Sequence, residues 1–114
     1  MKYALLIYSG DARQRFEDLP EDEQRSVLAE YFAISKEAGV YGGEQLQSTD
    51  SATTVRVEDG QTLVTDGPFA ESKEFLGGFY LLEADDVERA LELAARIPAA
   101  RMGGAIEIRP LVER

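Results

Sequence analysis

Two short segments of this chain, KYALLIY (Lys2 to Tyr8) and GGFYLLEA (Gly77 to Ala84), are apolar on both alternating sets of positions. A strand with one wet face alternates apolar and polar residues, so segments like these belong where both faces are covered. In the first, Tyr3, Leu5 and Ile7 share one face, and Ala4, Leu6 and Tyr8 share the other. The rest of the sequence must therefore supply two layers of cover, or a second molecule must supply one.

Two segments read as helices. Pro20 suits a first helical position, Glu21 to Glu23 complement the positive end of the dipole, and Val27, Leu28, Tyr31, Ser35 and Ala38 recur at helical spacing until Gly39. Asp85 or Asp86 can cap a second helix, and Asp85 with Glu88 has the spacing of a capping-box variant. Val87, Ala90, Leu91, Ala94 and Ile97 form its apolar stripe, and Pro98 stops it. Further strands are expected around Glu44 to Gln47, in TTVRV and TLVT across a type I′ Asp59-Gly60 turn, and in AIEIRPLV at the end. The order is that of an α+β fold, a ferredoxin-like βαββαβ sandwich with an added hairpin. Two helices cover one face of such a sheet. A homodimer covers the other most simply, because symmetric dimers are the commonest oligomers and an open apolar sheet is a large exposed patch.

The 114 residues fit one domain spanning the whole chain, with no repeat, linker or low-complexity tract. No apolar run approaches the roughly 20 residues of a membrane-spanning helix, and the start lacks a signal-peptide pattern, so a cytoplasmic location is expected. There is no cysteine and no histidine. This removes disulfides, thiol nucleophiles, the commonest general base and the usual transition-metal ligands, so neither a metal nor a His-based triad is expected. A net charge of −10 opposes binding to nucleic acid or anionic membranes. The acidic run Glu17 to Glu23 is read as a solvated helix start.

The stretch DGPFAESKE (Asp66 to Glu74) lies in a connection of about a dozen residues between two strands, a length that is uncommon without a function. Asp66-Gly67 can turn sharply, Pro68 restricts the backbone, Phe69 and Phe75 can anchor the loop, and Gly77-Gly78 permit close approach to the next strand. Asp66 either serves as a base or polar anchor or caps its own turn. Lys73 either orients an anionic group or is solvated. Arg101, among small residues after the second helix, either binds a carboxylate or sits on the surface. Tyr3, Phe69 and Phe79 are candidate pocket walls.

The segment DGPFAESKEFLGGFYLLEADDVERALELAARIPAA resembles the signature of the YCII-related, or DGPF-domain, family, usually written DGPFAETKE followed by a Gly-Gly strand. The likeness extends to MKYALLIY, to GGEQLQSTDSATTVRVEDGQTLVTDGPF and to AIEIRPL, so it covers essentially the whole chain; Ser72 in place of Thr is the departure within the motif. The resemblance implies a dimeric α+β barrel of ferredoxin-like subunits. It also implies an Asp at position 66 that pairs, in some members, with a pocket histidine. This chain has no histidine, which leaves Asp66 as a lone base or a structural residue. Family genes often neighbour those of extracytoplasmic-function sigma factors, which implies a regulatory association as the alternative to small-molecule binding with cofactor-free acid/base chemistry. Related barrels include cofactor-independent monooxygenases and muconolactone isomerases, and fold analogy transfers no chemistry.

Overall fold

A computed structural model describes residues 1–69 and 74–114. The elements run β1 (Lys2–Tyr8), α1 (Ala12–Glu17), α2 (Glu21–Ser35), β2 (Val40–Gln45), β3 (Thr53–Glu58), β4 (Gln61–Asp66), β5 (Leu76–Glu83), α3 (Val87–Arg96), α4 (Pro98–Arg101) and β6 (Ala105–Pro110). Four strands form an antiparallel sheet in the order β2-β5-β1-β6, while β3 and β4 form a separate ribbon. The fold is α+β. The two strands apolar on both faces, β1 and β5, are the two interior strands, each flanked on both sides.

Register assigns the faces. Tyr3 lies opposite Leu82 and Leu5 lies between Tyr80 and Ile108, so these side chains share one face and meet Ile34 of α2, Ala90 and Leu93 of α3, and Ile97. Helices and sheet bury one core there. The opposite face carries Ala4, Leu6, Tyr8, Phe79 and Leu81, none of which joins that core.

Several elements differ from the sequence expectation. The short α1 has no apolar periodicity; its first turn is held by the Ala12 N–H donating to the Ser9 carbonyl at 2.7 Å and by burial of Ala12. Helix α2 ends at Ser35 rather than near residue 38, because the chain must turn through Gly39 to pair with β5. Gly39 adopts φ +91°, its carbonyl accepts from the Glu83 N–H at 2.8 Å, and a Cβ there would lie 2.3 Å from the Glu83 carbonyl oxygen. Strand β2 lies at Val40–Gln45, earlier than expected, with a bulge between Val40 and Gly42. In α3 the buried residues are Ala90, Leu93 and Ala94, whereas Val87 and Leu91 face solvent, so the packing face is rotated from the expected stripe. Asp86 supplies the cap, its Oδ1 accepting from the Arg89 N–H at 3.2 Å. Pro98 closes α3 and opens the single turn α4, as its fixed φ and missing N–H allow. Three arginines then tie α3 and α4 to α2 and the turn that follows it: Arg89 donates to the Ala38 carbonyl at 3.4 Å, Arg96 pairs with Glu37, and Arg101 pairs with Glu30 of α2 at 2.5 Å.

The β3–β4 ribbon turns at Asp59 and Gly60, with φ of 50° and 76°, as the expected turn requires. One of its faces carries Val55, Val57, Thr62 and Val64; the other carries Thr54, Leu63 and the Arg56–Glu58 ion pair at 2.9 Å. The three valines are 60%, 67% and 63% exposed. Among the described residues, no helix is long and apolar enough to cross a membrane.

Candidate functional site

A cavity of about 540 Å³ opens between α1, α2 and the ends of β1, β2 and β5. Its origin is partly an absence of side chains. Gly43 of β2 and Gly77 and Gly78 of β5 line it, and the strands approach so closely there that a Cβ on Gly78 would lie 2.8 Å from the Glu44 carbonyl oxygen. Glycine thus lets these two strands pair while leaving the cavity floor bare. Above it, α2 presents two adjacent apolar rows. Val27 and Ile34 are buried in the fold, whereas Leu28 and Phe32, one turn apart, are 51% and 65% exposed and line the cavity with Phe16 of α1.

Polar groups are few. Tyr80 donates its hydroxyl to the Tyr31 carbonyl at 2.8 Å, fixing the sheet to α2 at the cavity wall. Burial pushes the Tyr80 phenol up to about 12, reinforced by its neighbour Tyr31. Burial likewise raises the Tyr31 phenol, opposed by the Ala99 amide and the Arg101 charge. Both phenols are therefore neutral at physiological pH, and Tyr31 can offer a hydrogen bond to a ligand. Glu17 and Glu44 are the carboxylates of the lining, and Arg13 its one cation among the described residues.

A second, smaller cavity of about 100 Å³ adjoins the first and shares Ser9, Arg13 and Gly77 with it. Its other walls are mixed: Gln47, Ser48 and Thr49 are polar, Phe75 and Leu76 apolar.

Of the residues singled out from sequence, Phe79 borders the large cavity where β5 passes it, while its register turns its side chain to the other face of the sheet. Tyr3 is 3% exposed, sits in the core and donates its hydroxyl to the Met1 sulfur at 3.6 Å. Asp66 ends β4, exposed and opposite Thr53, away from both cavities. Phe69 is 75% exposed, its ring 5.5 Å from the Arg56 guanidinium. Arg101 is held by Glu30 and lines neither cavity. Lys73 lies outside the described residues. Sequence reasoning missed Ser9, Arg13 and Phe16 because α1 was not foreseen. It had one usable signal for the roof: the apolar residues of α2 span a wider arc than one packing stripe needs.

The family profile of the YCII-related domain matches residues 1–114. The chain belongs to this family. An uncharacterised protein of Rhizobium meliloti is 38% identical over 116 residues, covering 97% of this chain and 92% of the relative. Among solved structures, the YCII-related chain is similar to the 5-chloro-2-hydroxyhydroquinone dehydrochlorinase of Burkholderia phenoliruptrix, determined in complex with 2,5-dihydroxybenzoquinone. The TM-score is 0.52 at 15% identity, with 100% of this chain and 96% of the other covered. At that identity the likeness concerns the fold alone.

Proposed function

We propose that this YCII-related protein binds a small organic molecule in the large cavity between α1, α2 and the sheet. The observation that carries this reading is the cavity itself: about 540 Å³, walled by Phe16, Leu28 and Phe32, with Arg13, Glu17, Tyr31 and Glu44 among its polar groups. Small-molecule sites share that size and that balance of apolar wall to polar anchor. Cofactor-free acid/base chemistry on the bound molecule would fall to Glu17 and Glu44, with the Tyr31 hydroxyl as a donor, since these groups line the cavity. Asp66 stands at the end of the ribbon and lines neither cavity. In a titration with 2,5-dihydroxybenzoquinone and related ring compounds, a true ligand at a hundred times its Kd stabilises the fold by about 2.7 kcal/mol. A Ser35→Phe variant, which fills the cavity from α2, should lose that stabilisation. Equal stabilisation of both proteins would place binding elsewhere and sink the reading.

The quaternary part of the reading is a homodimer. The strand order β2-β5-β1-β6, with helices on one face, supports a ferredoxin-like subunit, and two such sheets closing on each other make a dimeric α+β barrel. The half-buried Leu6, Tyr8, Phe79 and Leu81 on the back of the sheet and the exposed valines of the ribbon favour this arrangement. The same exposed ribbon favours the second reading, a regulatory module that contacts a sigma factor. A ribbon buried in the homodimer would leave that reading without its surface.

A further inference from the structure

We propose that the molecule held in the large cavity is an organic monocarboxylate, its apolar body against Phe16, Leu28 and Phe32 and its carboxylate in the adjoining small cavity beside Arg13. This rests on the reading of the large cavity as a ligand site. The two cavities share Ser9, Arg13 and Gly77; Phe16, Leu28 and Phe32 give the large one an apolar wall, and Gln47, Ser48 and Thr49 add an amide and two hydroxyls to the small one beside Phe75 and Leu76. A ligand that fills both needs a greasy body and a compact hydrogen-bond-accepting head.

Arg13 decides the charge of that head. It is the one cation lining either cavity among the described residues. Its Nε lies 3.6 Å from Glu17 Oε1 in a solvent-exposed pair, a contact of little strength. Its terminal nitrogens make no hydrogen bond or ion pair among the described residues, which leaves the guanidinium fork open to a planar carboxylate. Ser48 Oγ accepts from the Asp50 N–H at 3.2 Å and so keeps its own proton to donate; Ser9 and Thr49 add hydroxyls. One guanidinium balances one negative charge, which favours a carboxylate over a phosphate dianion. Three carboxylates stand at or beside the two cavities: Glu17, Glu44, and Glu74, whose Oε1 would lie 3.2 Å from a Cβ on Gly10 at the rim of the small cavity. With those and a net charge of −10, an anion has no general attraction to this protein and depends on Arg13.

Matched probe pairs test this: benzoate against benzamide, and 2-naphthoate against 2-naphthamide, titrated calorimetrically into the wild type and into Arg13→Gln at equal ionic strength. Arg13 is exposed on α1, and circular dichroism will verify that the variant is folded. The acids should bind the wild type at least about tenfold more tightly than the amides, the effect of a charge-assisted bond. Arg13→Gln should erase that preference, bringing the acids down to the affinity of their own amides in the same variant. Amides binding as well as acids, or an acid preference that survives in Arg13→Gln, overturns the inference while the cavity remains a ligand site. No binding by any of the four probes overturns both.

Discussion

The Tyr80 phenol is buried between sheet and helix and donates to the Tyr31 carbonyl. Its ionised form is penalised first by burial and then by the neighbouring Tyr31, which moves its titration from 10.0 to about 12. An unfolded chain releases that proton near 10, whereas the folded chain keeps it. Stability is therefore fully present below pH 10 and falls as the pH rises from 10 through about 12, by roughly 2 to 3 kcal/mol at about 1.4 kcal/mol per unit. Tyr31, raised for the same reason, adds to the fall. Urea unfolding of the wild type and Tyr80→Phe between pH 8 and 11.5 checks this. The variant should lose about 1 kcal/mol at pH 8 with its hydrogen bond and then decline less steeply. Parallel curves would assign the pH dependence to other groups. None of this was legible in the sequence, where Tyr80 was one alternating strand residue among several. What singles it out is its register opposite Gly43, which removes a side chain from beside it.

At the scale of elements, legibility followed periodicity. Strands β1 and β5 were readable because their double apolar faces fit only interior strands, and the ribbon was readable from Asp59-Gly60. Helix α1 was not, because ARQRFE has no apolar repeat and is held by Ser9, Ala12 and the returning chain. The candidate site shared that fate, since Arg13 and Phe16 are on α1 and the glycines of its floor read equally well as turn residues. Helix α3 shows a subtler limit: its repeat announces a helix, but Leu91 and Leu93 both fit an apolar arc, and only packing against β1 and β6 chooses between them. The choice has a measurable consequence. Leu93→Ala should destabilise the fold by about 2 to 5 kcal/mol, because it empties a fully buried position. Leu91→Ala, at a position 54% exposed, should change stability by less than about 0.5 kcal/mol. Comparable losses at both sites would mean that α3 is covered on its outer side by a further layer, such as a second subunit.

For the whole molecule, the dimensions carry the argument. The radius of gyration is 16.0 Å, whereas a compact chain of this length is expected near 13 Å. The thickness is 18 Å against 45 and 43 Å in the other directions, little more than one helix layer on one sheet. The β3–β4 ribbon extends outward, its two strands packing chiefly on each other among the described residues. A lone two-stranded ribbon is marginal in water, and three β-branched valines on one face amount to an unpaired half of a packing surface. In the proposed homodimer, a symmetry-related copy covers both this face and the back of the main sheet, so each subunit supplies the layer the other lacks. Val55 and Val64 lie directly opposite each other on the ribbon, which makes them the sharpest probe. Val55→Lys with Val64→Lys places two like charges side by side within the proposed contact. It should weaken dimerisation by at least about 2 kcal/mol, roughly thirtyfold in Kd, measured by sedimentation equilibrium. The four-stranded sheet and its helices contain neither residue, so the far-UV circular dichroism of the dissociated variant should keep the helical signal. A wild type that sediments as a monomer at micromolar concentration, or a double variant whose Kd does not move, would show that the ribbon stands free in solution and that the barrel does not close.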